Sequence, residues 1–192
     1  MGTRGFITFV VDGEEKTTYN HCDSYPDGLG VNVLNFLPGS MIGLTAAREK
    51  AAVLKLVTDE VPPTEDQQKA LKRYARTGVG RQSRDDWYCL LRETQGNPRA
   101  ILDAGYMLDA KDFPTDSLFA EYGYVIDFDR EVFEAYEGFQ HSPHQKGRFA
   151  DREPKQNASG TYYPVALVAS WPLGALPTHE EFLAVFEDGD ES

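Results

Sequence analysis

The chain has 192 residues, of which 31 are acidic and 19 are basic, giving a formal charge of −12. This length is close to the size of one domain, and the 41% share of hydrophobic residues excludes an intrinsically disordered protein. The excess of negative charge argues against direct binding of nucleic-acid phosphates or anionic membranes as the main activity.

Cysteine usage and the first residues indicate the compartment. Cys22 and Cys89 share no metal-ligand spacing, which favours a reducing environment over a disulfide framework. The first residues lack the apolar core of a signal peptide, and no run approaches the roughly 18 apolar residues of a membrane span. We therefore predict a cytoplasmic protein with no membrane association, metal or cofactor.

The first predicted element is a β-hairpin. Residues 6–11 are β-branched and aromatic, Asp12 and Gly13 form a two-residue turn signal, and residues 14–19 can return as the second strand. The hairpin leads into a loop over residues 20–30, a position that is typical of functional side chains carried by a rigid support.

Two helices are predicted after this loop. A short helix covers residues 31–37 and ends at Pro38, and a longer one covers residues 45–61 and ends at Pro62. Four apolar residues of the longer helix share one stripe at helical spacing: Ala47, Ala51, Leu54 and Val61.

A capping box and a serine mark two further helices. Thr64 and Gln67 can each satisfy the other's free backbone amide, so a helix should run from there to about residue 76. Ser83 can cap the next helix, and its predicted inward face consists of Trp87, Leu90, Leu91 and Thr94. The glycine-rich basic segment 77–84 lacks the Lys-Ser/Thr ending of a phosphate-binding P-loop, which favours a plain loop.

The second half of the chain contains most of the remaining strands. Residues 121–128 alternate in polarity and turn into residues 131–136, which predicts a second hairpin. One face of the first strand carries Tyr122, Tyr124, Ile126 and Phe128. A further strand is expected over residues 162–170, and the capping box at residues 178–181 opens a C-terminal helix.

These elements predict an α+β fold, because the chain shows neither an alternating strand-helix order nor a repeat. A single domain over residues 1–186 should contain a largely antiparallel sheet, made of two hairpins plus a C-terminal strand, with a central helical segment. Residues 138–160 are expected to form a long polar loop of this domain, and residues 187–192 an acidic tail.

The loop that follows the first hairpin is the strongest candidate site. Within a few residues it offers an imidazole, a thiol, a carboxylate, hydroxyls and an amide, and its one proline and two glycines fix the backbone. We predict a pocket for a small ligand or substrate here, formed by Asn20, His21, Asp23, Ser24 and Tyr25.

Two of these side chains can act as a pair. In an extended backbone His21 and Asp23 point the same way, so the carboxylate can orient an imidazole that acts as a base. Cys22 points the opposite way and would need a base from elsewhere, such as His141, His144 or His179. The competing interpretation is a turn whose polar side chains only satisfy the loop's own backbone.

Two other groups of polar residues are weaker candidates for cation binding. His141 and His144 flank Pro143 with no third ligand nearby, which favours a solvated loop over a metal site. Asp127 and Asp129 alternate onto one side of a strand end and can hold a cation, although two exposed carboxylates at a hairpin end are commoner.

The sequence resembles a group of uncharacterised proteins of actinobacterial phages and bacteria. The likeness rests on residues 1–5, the Asp12-Gly13 turn, the motif at residues 19–30, and residues 121–128 and 136–140. Cys22 stands where that group is expected to have an aromatic residue, which weakens a nucleophilic role for its thiol. The resemblance implies a phage or prophage origin and a host-cell cytoplasm, and it implies no particular activity.

A more distant likeness is to N-terminal-nucleophile hydrolases, whose first strand begins with the catalytic residue. Loss of Met1 would expose Gly2, which has no nucleophile, and Thr3 would serve only after unusual trimming. This likeness implies at most a degenerate scaffold of that class.

Two functional hypotheses follow from the sequence. The first is a phage-type protein with a small-molecule pocket at residues 20–30. The second is a non-enzymatic protein that contacts a host protein through its acidic surface, as a counter-defence protein or a mimic of nucleic acid would. Because the acids are scattered along the chain, ordinary solubility is by far the commoner explanation for them.

Overall fold

The computed structural model describes residues 2–37, 39–78 and 83–187. Its strands are Gly5–Val11 (β1), Glu14–Asn20 (β2), Lys55–Val57 (β3), Tyr106–Leu108 (β4), Tyr122–Asp127 (β5), Val132–Glu137 (β6), Lys155–Asn157 (β7), Gly160–Tyr162 (β8) and Ala166–Pro172 (β9). Its α-helices are Val31–Phe36 (α1), Met41–Val53 (α2), Glu65–Ala70 (α3), Trp87–Leu90 (α4), Pro98–Ala104 (α5) and His179–Glu187 (α6).

The centre of the fold is a five-stranded sheet in the order β2-β1-β5-β6-β9. The β1-β2 and β5-β6 hairpins and the β6-β9 pair are antiparallel, whereas β1 and β5 are parallel. The two predicted hairpins therefore meet through their first strands, and β9 extends the sheet. The α+β class and the largely antiparallel sheet are confirmed.

One face of the sheet packs against helices α1, α2, α5 and α6. Phe182 of α6 is fully buried there, with ring centroids 5.9 Å from Phe133 and 5.6 Å from Trp171. Tyr124 also lies on this face, as the alternation predicted, with its ring centroid 6.3 Å from that of Phe182. The aromatic contacts fix α6 against three strands of the sheet.

The opposite face of the sheet is covered by connecting segments rather than by helices. Phe6 lies between Phe113 and Phe149, with centroid separations of 6.5 and 5.6 Å. Its ring occupies space that only a glycine leaves open, because a Cβ on Gly123 would lie 2.0 Å from its Cζ. Both faces of β1 and β5 are therefore buried.

The predicted helix over residues 45–61 is wrong at both ends. Helix α2 begins at Met41, after the N-cap Ser40, and ends at Val53. The chain then continues as β3, which pairs in parallel with β4 about fifty residues later, and Val61 is 70% exposed. The helical spacing of apolar residues predicted a helix that is too long, because residues 55–57 form a strand only by pairing with β4, which is distant in sequence.

The predicted helix caps are partly confirmed. The capping boxes at Thr64 and at Thr178 both form: each threonine hydroxyl accepts the backbone N–H of the residue three positions later, and each threonine backbone N–H donates to the side chain of that residue. The fourth helix begins at Trp87 with Asp86 as its N-cap, so Ser83 does not cap it. The inward face of this helical segment is buried as predicted: Trp87, Leu90, Leu91 and Thr94.

The predicted long loop over residues 138–160 is partly structured. It contains β7 and the turn into β8, and Phe149 within it is fully buried. The predicted strand at residues 162–170 begins only at Ala166, since Tyr162 belongs to β8. Residues 79–82 of the glycine-rich segment 77–84 and residues 188–192 of the acidic tail, together with Pro38, lie outside the described residues.

A buried group of charged side chains attaches this loop to the sheet. Arg148 donates from Nη2 to Asp127 at 2.5 Å and from Nε to Glu134 at 2.7 Å, and both carboxylates are almost completely buried. Tyr136 donates to the same Glu134 at 2.8 Å. Burial would lower the pKa of Arg148, but its hydrogen bonds to Glu134 and Asp127 outweigh burial and raise it.

A second buried cation, Lys16, binds the C-terminal end of helix α2. Lys16 of β2 is 3% exposed, and its Nζ donates to the carbonyl oxygens of Ala51, Ala52 and Leu54 at 2.9–3.1 Å. These are carbonyls of the last helical turn, where a positive charge is favourable. Lys16 thereby joins the edge strand to α2.

Within the described ranges, no single helix is long and apolar enough to cross a membrane. Pro26–Phe36 and Met41–Val53 pass that test only as a pair, and the pair is bent by 106°.

Candidate functional site

The loop after β2 is held by its own polar groups. Asn20 is 5% exposed, and its Nδ2 donates to the carbonyl oxygen of Cys22 at 2.6 Å and to Oγ of Ser24 at 2.8 Å. Ser24 is fully buried, and its carbonyl oxygen accepts a hydrogen bond of 3.0 Å from the hydroxyl of Tyr124. For these two residues the competing interpretation, a self-satisfied turn, agrees with the contacts.

His21 and Asp23 do not form the predicted pair. Asp23 has φ = 56°, so the backbone is not extended there and the alternation that would align the two side chains does not apply. Nδ1 of His21 instead lies 2.9 Å from the hydroxyl of Tyr19, and no hydrogen bond between the described atoms joins it to Asp23. A carboxylate-oriented base is therefore not assembled.

Tyr25 lies at the far end of the loop. Its side chain is 47% exposed, and its ring centroid lies 6.2 Å from that of Tyr122. The carbonyl of Tyr25 accepts from the backbone amides of Gly28 and Gly30, which closes one π-helical turn over Pro26–Gly30. The predicted tight turn is thus a wider one that runs directly into α1.

A polar groove lies between this loop and the segment that follows α4. One cavity of about 280 Å³ is lined on one side by residues 20, 22 and 23 and on the other by residues 76, 92, 93, 95 and 96. An adjoining cavity of about 480 Å³ shares Asn32 and residues 93, 95 and 96 with it and continues to Asn35 and Arg99. We call these two cavities together the groove.

The predicted site residues divide between the groove and its surroundings. Asn20 and Asp23 line it, together with Cys22, which is exposed. His21, Ser24 and Tyr25 lie outside its described lining. The structure therefore brings two of the five predicted side chains to the cavity.

Arg92 is the central cation of the groove. It is half-buried, its Nη1 donates to the hydroxyl of Tyr88 and to Oε1 of Gln95, the latter at 2.7 Å, and its guanidinium lies over the Tyr88 ring. Both acceptors are uncharged, and no described carboxylate forms an ion pair with Arg92. By contrast, Arg76 has a carboxylate partner, since its Nε lies 3.8 Å from Oε1 of Glu93.

The positive charge of Arg92 affects the pKa of His21 in the loop. The pKa of His21 is lowered from its usual 6.5, first by burial, then by Arg92 and by Arg4. Burial is also the main cause that raises the pKa of Tyr19, its hydrogen-bond partner. Near neutral pH, His21 is therefore an uncharged ring beside an uncharged phenol.

The floor of the groove is formed where Asn20 meets Gly96. Because a carbonyl oxygen only accepts, the bond to the Cys22 carbonyl fixes which atom of the Asn20 amide is nitrogen. Oδ1 therefore faces Gly96, and a Cβ added to this glycine would lie 3.2 Å from that oxygen. Gly96 has φ = 71°, a conformation that glycine adopts without strain.

The other sequence candidates are placed elsewhere. Asp127 is bound to Arg148, and Asp129 accepts the backbone amides of Asp12 and Gly13 at the first hairpin turn. His144 bonds through Nε2 to the carbonyl of residue 164 and through Nδ1 to the amide of residue 146. Across the described ranges, no group of three or more His, Cys, Asp or Glu side chains is arranged to hold a metal ion.

The remaining nucleophile candidates differ in access. Thr3 is 3% exposed beneath the loop, where its carbonyl accepts the amide of Ser24 at 3.2 Å. Cys89 is fully buried, and burial followed by a hydrogen bond to Asp86 raises the pKa of its thiol. Cys22 is thus the accessible thiol of the two.

Sequence reasoning missed the wall of the groove that faces the loop. Arg92, Gln95 and Gly96 are about seventy residues from Asn20, and local spacing gives no sign that they meet. The one available signal was the predicted inward face around Trp87, which leaves Arg92 on the opposite, outward side.

Comparison with protein-family models, with curated proteins and with solved structures gave no match. The site is therefore interpreted from its own geometry.

Proposed function

We propose that this protein binds a small polar molecule in the groove between the 20–23 loop and the 92–97 segment. The observation that carries the proposal is that amides and guanidinium groups from four separate chain segments line one cavity. The size of the cavity is close to that of small-molecule sites, which are usually a few hundred Å³.

The self-satisfied contacts of the loop support this proposal rather than compete with it. Asn20 and Ser24 hold the loop in one shape, so the groups that face the cavity are presented by a rigid frame. Arg92 is held in the same way by Tyr88 and Gln95 on the other wall. A preformed polar cavity loses little conformational entropy when a ligand binds.

The proposed site can be tested through the thiol of Cys22, because Cys22 lines the groove and the other cysteine, Cys89, is buried. Disulfide-linked fragments would be offered to the protein under partly reducing conditions, and captured fragments would be identified by intact-protein mass spectrometry. We expect a small set of fragments to be captured at Cys22 in preference to the rest, since contacts with the groove strengthen their disulfides.

The matched control moves the thiol out of the groove. In a Cys22→Ser, Ser159→Cys double variant, the accessible thiol lies in the exposed β7-β8 turn, where the side chain of Ser159 makes no described hydrogen bond. The fragments selected by Cys22 should not be selected by this variant. Equal selection by both proteins would refute the proposed site.

The origin and the second hypothesis stay predictions. Phage origin rests on the resemblance alone, and contact with a host protein rests on the formal charge of −12. A pull-down from host lysate at increasing salt tests the latter: partners bound through an acidic surface should be lost at moderate ionic strength, and absence of partners at low salt would reject it.

A further inference from the structure

We infer that the ligand of the groove is a small organic anion: its carboxylate or phosphate binds Arg92, and an N–H or O–H of the same molecule donates to Oδ1 of Asn20. This inference rests on the proposed function and specifies the chemical class of the ligand.

The first support is the unused hydrogen-bonding capacity of Arg92. A guanidinium offers five N–H donors in a fork that fits carboxylates and phosphates. The described bonds of Arg92 engage only Nη1, with two neutral acceptors, which leaves Nε and Nη2 without a described partner. Its charge is thus held in position and is not neutralised by a described carboxylate.

The second support is the acceptor on the groove floor. Asn20 is 5% exposed, and both of its described side-chain bonds use Nδ2. Oδ1, which is oriented by those bonds toward Gly96, accepts no described donor. Oδ1 is not one of the fully enclosed polar atoms of the described residues, so an approaching molecule can reach it. An amide oxygen can accept a hydrogen bond, and the cavity is the open direction from which a donor can approach.

The acids of the groove limit the charge of the ligand. Glu93 and Asp23 line the 280 Å³ cavity of the groove together with Arg76 and Arg92, so this cavity is balanced in charge and not strongly basic. Arg76 lies close enough to Glu93 to offset it, which leaves Arg92 opposite the exposed Asp23. This balance suits one acidic group on a small molecule and disfavours a polyanion such as a nucleic-acid strand.

Three small molecules test whether the groove recognises a phosphate, a carboxylate or only hydroxyl groups. Glycerol 3-phosphate and glycerate each carry one acidic group with hydroxyl donors, and glycerol carries the hydroxyl groups alone. The measurement is the rate at which iodoacetamide alkylates Cys22 in the folded protein, since a bound ligand covers that thiol. We expect at least one of the two anions to slow alkylation, and glycerol to leave the rate unchanged; which anion acts distinguishes phosphate from carboxylate recognition.

A matched pair of substitutions tests the role of Arg92. Arg92→Gln removes the charge in the groove, and Arg73→Gln removes the same charge from an arginine that stacks on Tyr74 outside the described lining. We expect Arg92→Gln to weaken anion binding about tenfold or more, as loss of a charge-assisted bond does, and Arg73→Gln to leave it within about twofold. Equal binding by both variants, with folding verified by circular dichroism, would overturn the inference.

Failure of this inference can be told apart from failure of the proposed function. If neither anion protects Cys22 better than glycerol, or if the fragments captured selectively at Cys22 are neutral or cationic, the anion assignment is wrong while the small-molecule site stands. If Cys22 captures no fragment in preference to the Ser159→Cys control, the proposed function itself is wrong.

Discussion

Arg92 and Arg148, two of the half-buried arginines, are held in opposite ways. Arg148 sits between two buried carboxylates on the sheet, whereas Arg92 is held by a phenol and an amide at the edge of a cavity. The side chain of Arg148 is 12% exposed and has no capacity left for a ligand on its Asp127 and Glu134 side. Arg92 has both a free charge and open space in front of it.

This difference separates a group that stabilises the fold from one that is available to a ligand. Arg148 is anchored in a complete set of ion pairs that joins the 138–160 segment to β5 and β6, so its removal should affect folding. Arg92 is oriented but not neutralised, so its removal should affect binding more than folding. Each half of this comparison can be tested.

The largest effect is expected for Arg148→Met. The substitution leaves Asp127 buried without a cation and Glu134 with only the exposed Arg130, which should lower the free energy of unfolding by about 3–5 kcal/mol. Urea denaturation measures the change. The matched control is Arg130→Met, which removes a 65% exposed partner of the same Glu134 and should cost less than about 1 kcal/mol. Similar losses in both variants would show that Arg148 is not specially placed.

Lys16→Met tests how much stability comes from a buried cation that is held mainly by backbone carbonyls, since its one carboxylate partner, Glu14 at 3.4 Å, is 59% exposed. Three carbonyl oxygens at the end of α2 would lose their donor, and we expect a loss of about 1.5–3 kcal/mol in the free energy of unfolding. Lys50→Met is the control, because its ion pair with Asp103 lies on the surface and should contribute less than about 1 kcal/mol. A loss for Lys16→Met no larger than that of the control would contradict the role of Lys16 as the C-terminal cap of α2.

The sequence allowed the strands to be predicted better than the site, and the reason is the range of the interactions. The Asp12-Gly13 turn and the alternation of residues 121–128 are local signals, and both hairpins form as expected. The strand at Lys55–Val57 and the wall around Arg92 depend on partners fifty to seventy residues away. The His21 and Asp23 pair failed for a local reason, since the positive φ of Asp23 breaks the extended geometry that the prediction assumed.

Arg92→Gln should change stability little. The variant loses hydrogen bonds to Tyr88 and Gln95 but leaves no buried carboxylate unpaired, so we expect a change in the free energy of unfolding of about 1 kcal/mol or less. The same urea denaturation that measures Arg148→Met provides the comparison. A loss as large as that of Arg148→Met would place Arg92 among the structural arginines and remove the contrast between the two.

The smallest and most local effect concerns the protonation of His21. Its pKa should lie below 6.5 in the folded protein, because burial and then Arg92 and Arg4 disfavour the imidazolium. Titration of the His21 ring signals by NMR measures this, with signals assigned by a His21→Gln variant. In Arg92→Gln the pKa should rise only part of the way toward 6.5, since burial is unchanged, whereas Arg73→Gln should leave it unaltered.

The sign of the linked stability effect follows from the lowered pKa. Well above pH 6.5 the ring is neutral in both the folded and unfolded chain, so His21 contributes no pH dependence there. As the pH falls below 6.5, the unfolded chain binds a proton that the folded protein resists, and the folded state loses stability until its own lower pKa is passed. Because His21 is exposed, this loss should be small, and it should shrink in Arg92→Gln. An unchanged His21 pKa in that variant would mean that the charge of Arg92 is already neutralised, and the central contrast with Arg148 would then fail.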